Sequence, residues 1–298
     1  MTREPLRNRS DWDANHKRDM NLPPAPEPLP IAVADSHCHL DIRDGDDYLD
    51  VTDALAMAAT AGVDRIVQVG VDVESSQWSA KAAHDYPNVL ATVALHPNEA
   101  PRIAAEHGMP ALEAAWQEID RLAADPRVRG IGETGLDFFR TSAEGLASQE
   151  ESFRQHIRIA KAHNKALIIH DRDAHDDVVR VLLSEGSPEK VVFHCFSGDA
   201  KLGQIAAEHG WYCSFSGTVT FKNSQGVRDG LSVLPPELIL VETDAPFLTP
   251  TPFRGRPNAS YLIPLTVRHM AEVRGMPVES LCQAISDNTN AVFGNFGQ

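Results

Sequence analysis

The sequence predicts a (β/α)8 TIM barrel of the α/β class. From residue 31 onward, short apolar runs typical of buried strands alternate with segments that carry apolar residues at helical spacing, and eight such runs are present. A chain of 298 residues is long enough for this fold. An open doubly wound sheet is the alternative, but no Gly-x-Gly-x-x-Gly or Walker loop follows any of the runs.

Each strand is recognised by a short run rich in Val, Ile and Leu, and each helix by apolar residues that recur on one face. The predicted strands are residues 31–34, 63–70, 89–95, 128–133, 166–170, 190–194, 211–216 and 238–242. The predicted helices are residues 48–61, 75–86, 112–124, 146–163, 178–184, 200–209, 263–274 and 278–286, and residues 288–293 close the fold. Gly62 follows the first helix, where a C-cap glycine is common.

The chain is predicted to have two parts. Residues 1–30 are a flexible, proline-rich N-terminal arm without apolar periodicity, and residues 31–298 are a single (β/α)8 barrel domain. The basic residues of the arm can contact nucleic acid, but a solvated terminal run is the favoured interpretation. These residues are Arg3, Arg7, Arg9, Lys17 and Arg18.

Composition excludes several classes of function. The net charge of −15 argues against a protein that coats nucleic acid non-specifically, although an enzyme can still meet a phosphate through bound metal ions. No apolar run approaches the roughly 18 residues of a membrane span, and no signal-peptide core is present, so we expect a cytoplasmic protein without a membrane partner. The four cysteines are far apart in the chain, which disfavours a disulfide framework or a thiolate zinc site.

The first strand runs into a His-x-His pair, His37 and His39. Side chains two residues apart on a strand project to the same side, so both imidazoles can bind one divalent ion while Cys38 points away. Two histidines satisfied by ordinary hydrogen bonds are an equally good interpretation of this pair alone.

Ionisable residues at the ends of four other strands favour the metal. In a barrel, the C-terminal ends of all strands converge on one mouth, where active sites lie. We therefore predict that four imidazoles and two carboxylates meet there. They are His37, His39, Glu133, His170, His194 and Asp244.

This set exceeds the roughly three protein ligands of a single catalytic zinc, and therefore suggests two ions. We predict that His37, His39 and Asp244 hold one, that His170 and His194 hold the other, and that Glu133 bridges them. Two ions roughly 3.5–4 Å apart can activate a water and stabilise both the attacking and the leaving oxygens of a phosphodiester. Asp244 can accept a proton from that water, and so Asp244 and Glu133 are the predicted catalytic residues.

Seven motifs resemble, in order, the signatures of the TatD family of metal-dependent deoxyribonucleases. They are residues 35–41 (DSHCHLD), 95–97 (LHP), 132–137 (GETGLD), 169–172 (IHDR), 193–198 (FHCFSG), 242–248 (ETDAPFL) and 254–258 (RGRPN). The resemblance implies an amidohydrolase-type barrel, two divalent metals, the same six ligands and cleavage of DNA, typically as a 3′-to-5′ exonuclease. The sequence departs from the family pattern in the long segment before the His-x-His strand, and in Thr134.

Further residues at the mouth have two interpretations each. The resemblance favours a substrate-phosphate contact for His96, with loop fixing as the alternative; Arg172 can bind a phosphate oxygen or pair with Asp171 or Asp173. Glu242 is predicted to orient a ligand histidine, Asp137 and Asp41 to fix loops, and Cys38 and Cys195 to pack against helices. Candidate base-stacking rings, for which core packing is the alternative, are Phe215, Phe221 and Phe247, and candidate phosphate contacts are Lys222, Arg254 and Arg256.

The sequence therefore predicts a metal-dependent deoxyribonuclease that acts on single strands or 3′ ends. Histidine and carboxylate ligands accommodate zinc, manganese, nickel or iron, and magnesium less readily. One alternative is an ester or amide hydrolase acting on a small substrate or an aminoacyl-tRNA, since the same centre hosts those reactions. The other is a metal-binding scaffold without turnover, which the intact ligand set disfavours.

Overall fold

Eight parallel strands lie side by side in chain order and form the nearly closed barrel that the sequence predicts. The computed structural model describes residues 1–11, 18–46 and 48–297. The strands are β1 (Val33–Cys38), β2 (Val63–Val69), β3 (Val89–Val93), β4 (Val128–Asp137), β5 (Ala166–Arg172), β6 (Val191–Phe193), β7 (Tyr212–Phe215) and β8 (Ile239–Val241). Between β8 and β1 the gap is bridged by the segment after β8, where Asp244 N donates to His37 O at 2.9 Å and Ala245 O accepts from His39 N at 2.8 Å.

Helices surround the barrel in the described part of the chain. They are α1 (Val51–Thr60), α2 (Val73–Asp85), α3 (Glu99–His107), α4 (Met109–Ala123), α5 (Leu146–His163), α6 (His175–Glu185), α7 (Ala200–His209), α8 (Gln225–Val233), α9 (Ile263–Arg274) and α10 (Val278–Phe293). No helix among the described residues is long and apolar enough to span a bilayer.

Two of these helices were not predicted. α8 buries only Gly230 and Leu231, and its two glycines lower helix propensity, so its sequence carries little helical signal. α3 is separated from α4 by Gly108 at φ 82°, and buries only Ala100. The last helix also continues to Phe293 instead of ending at Ser286.

Most of the apolar core lies between the strands and the helices, and a smaller cluster fills part of the barrel. The smaller cluster includes Ala34, Leu90 and Leu240 from different strands, packed with Phe293 and Phe296 from the end of the chain. The aromatic side chains thus fill the barrel beneath the mouth. The polar strand ends therefore lie above an apolar base.

The described residues of the N-terminal arm pack against the barrel. Arg7–Asn8 pairs in parallel with Ile42–Arg43, and Tyr261 Oη donates to Pro23 O at 2.6 Å. Arg18 and Arg9 pair with Asp44 at 2.7 and 3.2 Å. For Arg9 and Arg18 the interpretation as a solvated run is therefore wrong, because the acidic barrel offers them partners. Arg3 remains 60% exposed, and Lys17 lies outside the described residues.

Candidate metal centre

All six predicted ligands converge at the C-terminal end of the barrel. His37 lies within β1, Glu133 within β4 and His170 within β5. The other three follow directly or closely on a strand: His39 on β1, His194 on β6 and Asp244 on β8. Their roles as ligands stay a prediction, but the convergence on which that prediction depends is present.

A local irregularity in β1 turns His37 towards the mouth. Val33 and Cys38 both pack in the outer core although they are an odd number of residues apart, so strict strand alternation is broken between them. The pairing register with β2 shifts between Asp35 and Cys38. Such a bulge re-aims side chains next to a site.

The two carboxylate oxygens of Glu133 face different histidines. Oε1 lies 2.7 Å from His170 Nδ1 and 2.9 Å from His194 Nε2. Oε2 lies 3.6 Å from His37 Nε2 and 3.9 Å from His39 Nε2. The side chain therefore stands between two histidine pairs, with one oxygen directed at each.

Asp244 completes the group around His37 and His39. Its Oδ1 lies 3.4 Å from His39 Nε2 and 3.7 Å from His37 Nε2. The Nδ1 atom of His39 lies 3.2 Å from Val69 O, and because a carbonyl only accepts, that nitrogen carries the proton. In the neutral ring, the form that can bind a metal, the lone pair of His39 Nε2 is therefore directed into the centre.

Buried His37 fits a metal ligand better than a hydrogen-bonded core residue. The side chain is fully buried, and neither ring nitrogen has a hydrogen-bond partner among the described residues. Its Nε2 instead faces the carboxylates of Glu133 and Asp244 at 3.6 and 3.7 Å, too far for hydrogen bonds but suitable on either side of a cation. His37, His39 and Asp244 each offer one ligand atom within 4.8 Å of the others, as do His37, Glu133 and His194.

The electrostatics of the centre favour a cation. Burial alone would raise the pKa of Glu133 and of Asp244, but the neighbouring histidines hold both values below the usual range. Burial opposes protonation of His39, yet the hydrogen bond and charge of Asp244 raise its pKa to about 9. The same negative field would stabilise a divalent ion among these groups.

Carboxylates behind the centre orient two of the histidines. Glu242 is fully buried, and its Oε1 accepts from His194 Nδ1 at 3.2 Å and from Cys195 N at 2.7 Å, which confirms its predicted position. Asp137 fixes the turn after β4, as predicted, but its Oδ2 also lies 3.2 Å from His170 Nε2. That second contact was not predicted, because a loop-fixing role accounted for Asp137 fully.

Asp35 supports the segment that carries Asp244, and sequence reasoning missed it. Burial raises the pKa of Asp35 to about 7 against the hydrogen bonds that it accepts. Those bonds come from Thr243 Oγ1 at 2.5 Å and Ser260 Oγ at 2.7 Å. The signal that could have identified this role is the position of Asp35, an acidic residue directly after the apolar run of residues 31–34. Asp41 accepts from Gln68 Nε2 at 2.8 Å, in keeping with its predicted structural role.

His96 and Arg172, the predicted substrate contacts, lie at different depths. His96 is inside the centre, with Nε2 3.4 Å from Glu133 Oε1, and it forms a third possible ligand group with Glu133 and His170. The Arg172 guanidinium lies 4.0 Å from the centroid of the Phe139 ring. Within the described residues it makes no ion pair with Asp171 or Asp173, the predicted alternative. Contacts of either residue with phosphate stay a prediction.

The aromatic rings chosen from the sequence are covered. Phe215 is fully buried, Phe221 lies under Arg254, and Phe247 lies under Arg9 with its edge towards His39. Phe139, which sequence reasoning missed, has 64% of its surface exposed. Its signal was the aromatic pair Phe138-Phe139 directly after the strand-four motif.

The remaining predicted residues have mixed outcomes. Lys222 and Arg254 are exposed, whereas Arg256 donates to Asn21 O and Leu22 O and so holds the arm. Cys38 packs in the core as predicted. The prediction for Cys195 is wrong: β6 ends at Phe193, so alternation no longer applies, and Cys195 Sγ lies 3.3 Å from Ser216 Oγ. Burial and then the carboxylate of Asp244 raise the pKa of this thiol to about 12.

Comparisons with known proteins agree with this geometry. The family model described as TatD related DNase matches residues 34–294. The chain is 40% identical over 266 residues to the "Uncharacterized metal-dependent hydrolase TatD" of Mycobacterium tuberculosis, covering 88% of this chain and 98% of that protein. It is 35% identical to the "Uncharacterized metal-dependent hydrolase YcfH" of Escherichia coli K12, covering 88% of this chain and 95% of that protein. The crystal structure of YjjV, a TatD homologue from Escherichia coli K12, superposes with a TM-score of 0.78 at 26% identity, covering 88% of this chain and 97% of that one.

Proposed function

The chain belongs to the TatD family of metal-dependent hydrolases, and from this membership we propose that it hydrolyses phosphodiester bonds of DNA, as an exonuclease acting from 3′ ends. The observation that carries the proposal is the position of Glu133, whose two oxygens face two separate histidine groups. A carboxylate in that position suits two ions, and two ions suit the transfer of a phosphoryl group, where charge develops on attacking and leaving oxygens alike.

The residues divide into two candidate ion sites that share Glu133. We assign His37, His39 and Asp244, whose ligand atoms lie within 4.8 Å of one another, to one site. We assign His170 and His194, which lie 2.7 and 2.9 Å from Glu133 Oε1, to the other. Two divalent ions held there would acidify a water molecule and offset the negative charge of the phosphodiester. Zinc, manganese, nickel, iron and magnesium are all compatible in principle with nitrogen and oxygen ligands, and the softer ions fit so many imidazoles better.

Protein groups supply proton transfer and positioning. The neighbouring histidines hold the pKa of Asp244 below its usual range against the effect of burial, so its carboxylate is ionised and can accept a proton from the attacking water. His96, inside the centre but partly exposed, can donate to a non-bridging phosphate oxygen. Arg172, at the end of β5, can bind the same phosphate or the next one along the strand.

Two side chains beside the centre favour the end of a nucleic acid strand over a small ester as the substrate. An arginine that is partly exposed and makes no ion pair among the described residues lies beside the centre, and next to it lies an exposed aromatic ring. The net charge of −15 meanwhile disfavours binding along the length of a duplex. These properties fit an enzyme that engages a strand locally, at its end.

End-labelled single-stranded DNA tests the proposal. Metal-loaded protein should shorten a 5′-labelled strand stepwise from its 3′ end, and excess chelator should stop the reaction. Asp244→Asn should abolish cleavage with the fold intact, whereas Asp176→Asn, whose side chain is 84% exposed on an outer helix, should cleave normally.

Small aryl esters, an aminoacyl-tRNA and a metal assay complete the design. Hydrolysis of either ester without any DNA shortening would overturn the nuclease proposal in favour of the ester hydrolase. A protein that binds about two ions per chain but turns over none of these substrates would support the scaffold instead.

A further inference from the structure

We propose that Phe139 and Arg172 form a stacking subsite for an unpaired base next to the scissile phosphodiester. This inference rests on the proposed DNA cleavage and deepens it, because it assigns the part of the substrate that is recognised outside the metal centre. It commits the site to one occupant, the base of a single-stranded end.

The position of the pair follows from the pairing of β4 with β5. These strands are adjacent and parallel, and Asp137 lies opposite Arg172 in their register. Phe138 N then donates to Arg172 O at 3.0 Å, which extends the pairing by one step. Phe139 therefore emerges at the same end of the barrel as Glu133 and His170, directly beside Arg172.

A single carboxylate joins this turn to the metal centre. Asp137 Oδ1 accepts from Phe139 N at 3.0 Å and from Arg140 N at 2.8 Å. The other oxygen, Oδ2, lies 3.2 Å from His170 Nε2. Only the Asp137 side chain thus separates the backbone of Phe139 from His170, a candidate metal ligand. This spacing suits a contact with the nucleotide next to the reacting phosphate, and not with that phosphate itself.

The exposure of the turn is unusual for this protein. Only 6% of the residues of the chain are aromatic. Among the described residues, the large apolar side chains with the greatest exposure include two rings, and both are in this turn: Phe138 at 36% and Phe139 at 64%. An exposed apolar surface beside a polar site is typical of a binding surface.

Phe139 is also better suited to stacking than the other rings near the mouth. Phe215 is buried, while Arg254 and Arg9 lie over the rings of Phe221 and Phe247 at 4.3 and 4.7 Å from their centroids. On Phe139, the guanidinium of Arg172 occupies one side at 4.0 Å, and the large exposed area leaves room for a base.

The chemistry of the pair matches a nucleotide. Every base has a flat π face, so stacking on an aromatic ring tolerates any sequence. Arg172 adds a positive charge within reach of the backbone phosphate that accompanies the stacked base. A base within a duplex is already stacked and paired, so this subsite favours single strands and frayed ends.

A double-mutant cycle on cleavage tests the inference. Oligonucleotides would carry a normal base or an abasic sugar at each of the three positions nearest the 3′ end, and kcat/KM would be measured with wild-type protein and Phe139→Ala. We expect each single change to lower kcat/KM about tenfold at one position, and the two together to lower it no further. Phe139→Trp should restore the wild-type value, and Leu183→Ala, a truncation of a side chain that is 52% exposed on an outer helix, should have no effect.

Fluorescence of 2-aminopurine at the sensitive position provides a readout that does not depend on turnover. Binding to wild-type protein should quench the fluorescence, and Phe139→Ala with unchanged metal content and circular dichroism should not. Normal cleavage by Phe139→Ala on every oligonucleotide would overturn the stacking subsite and leave the nuclease intact. Equal losses on normal and abasic strands would also overturn it, because the ring would then act structurally. Absence of cleavage by the wild-type protein would instead overturn the proposed function, and the subsite with it.

Discussion

The Glu242 carboxylate accepts a hydrogen bond from His194 Nδ1, at 3.2 Å, from a fully buried position beneath the mouth. Its Oε1 also accepts from Cys195 N at 2.7 Å, so the carboxylate is fixed. The proton of His194 is thereby held on Nδ1, and Nε2, 2.9 Å from Glu133, is left as the nitrogen that can bind a metal.

We expect Glu242→Gln to weaken metal binding about 10- to 100-fold, the range typical of such outer-shell partners. The neutral amide is a weaker acceptor and can present its NH2 group to the imidazole. Titration of chelated protein with zinc, followed by calorimetry, would measure the affinity. Saturating metal should largely restore cleavage, and Glu272→Gln, with its side chain 83% exposed, serves as the control. Unchanged affinity in Glu242→Gln would contradict the orienting role.

Removal of metal should lower the melting temperature by about 10 °C. A ligand present at about a thousand times its Kd stabilises the folded state by about 4 kcal/mol. For a domain of this size, 1 kcal/mol corresponds to roughly 2–4 °C. His37→Asn alters a buried histidine that has no hydrogen-bond partner among the described residues, and because it removes a ligand of one ion only, chelator should lower its melting temperature less than that of the wild type. If the melting temperature of the wild type is the same with and without chelator, the result would argue against a buried ion.

The candidate centre could be predicted because its residues follow a simple rule. Glu133, His170 and His194 end apolar runs that are easily recognised, and parallel strands in a barrel bring those ends together. His37 lies at the predicted end of the barrel, but strand alternation alone does not explain its direction. Simple alternation from Val33 would place it on the outer side, and the bulge between Asp35 and Cys38 corrects its direction.

What escaped prediction depends on contacts between residues far apart in the chain. Asp137 contacts His170 only because β4 extends far enough beside β5. The arm carries no periodic signal, and Arg18 is recognisable as a paired residue only once Asp44 is in place. The segment of α8 has too few buried residues to be distinguished from a polar loop.

The arm should contribute measurably to stability through Asp44. This carboxylate has only 2% of its side chain exposed and pairs with Arg18 and Arg9. Arg18→Ala removes two hydrogen bonds, at 2.7 and 3.0 Å, from a buried charge. We expect a loss of about 2–3 kcal/mol in the free energy of unfolding, measured with urea. Lys201→Ala, which breaks a pair whose partners are 68% and 84% exposed, should cost less than about 1 kcal/mol. Equal losses in both variants would show that the arm is held by other contacts.

His156 should make the protein sensitive to mild acid. Its Nδ1 donates to Ser152 O at 2.6 Å, and its Nε2 accepts from Leu95 N at 3.0 Å, so the buried ring must be neutral. Burial lowers the pKa of His156 to about 4 from the usual histidine value of 6.5. Between these values the unfolded chain binds the proton and the folded protein does not, so stability falls as the pH falls through this window. The full loss is about 3 kcal/mol.

His156→Gln keeps a donor and an acceptor but does not titrate. At pH 7.5 we expect it to be less stable than the wild type, because the amide fits the two bonds less well. The difference in unfolding free energy should shrink steadily towards pH 4.5, since only the wild type loses the contribution of a neutral histidine. His107→Gln, with its side chain 63% exposed, should follow the wild-type profile. A constant difference between His156→Gln and the wild type at every pH would show that folding does not shift the pKa of this ring. His156 also holds the backbone of Leu95, the residue before His96, so His156→Gln should loosen the position of His96 beside Glu133. We expect this change to raise KM without a matching fall in kcat.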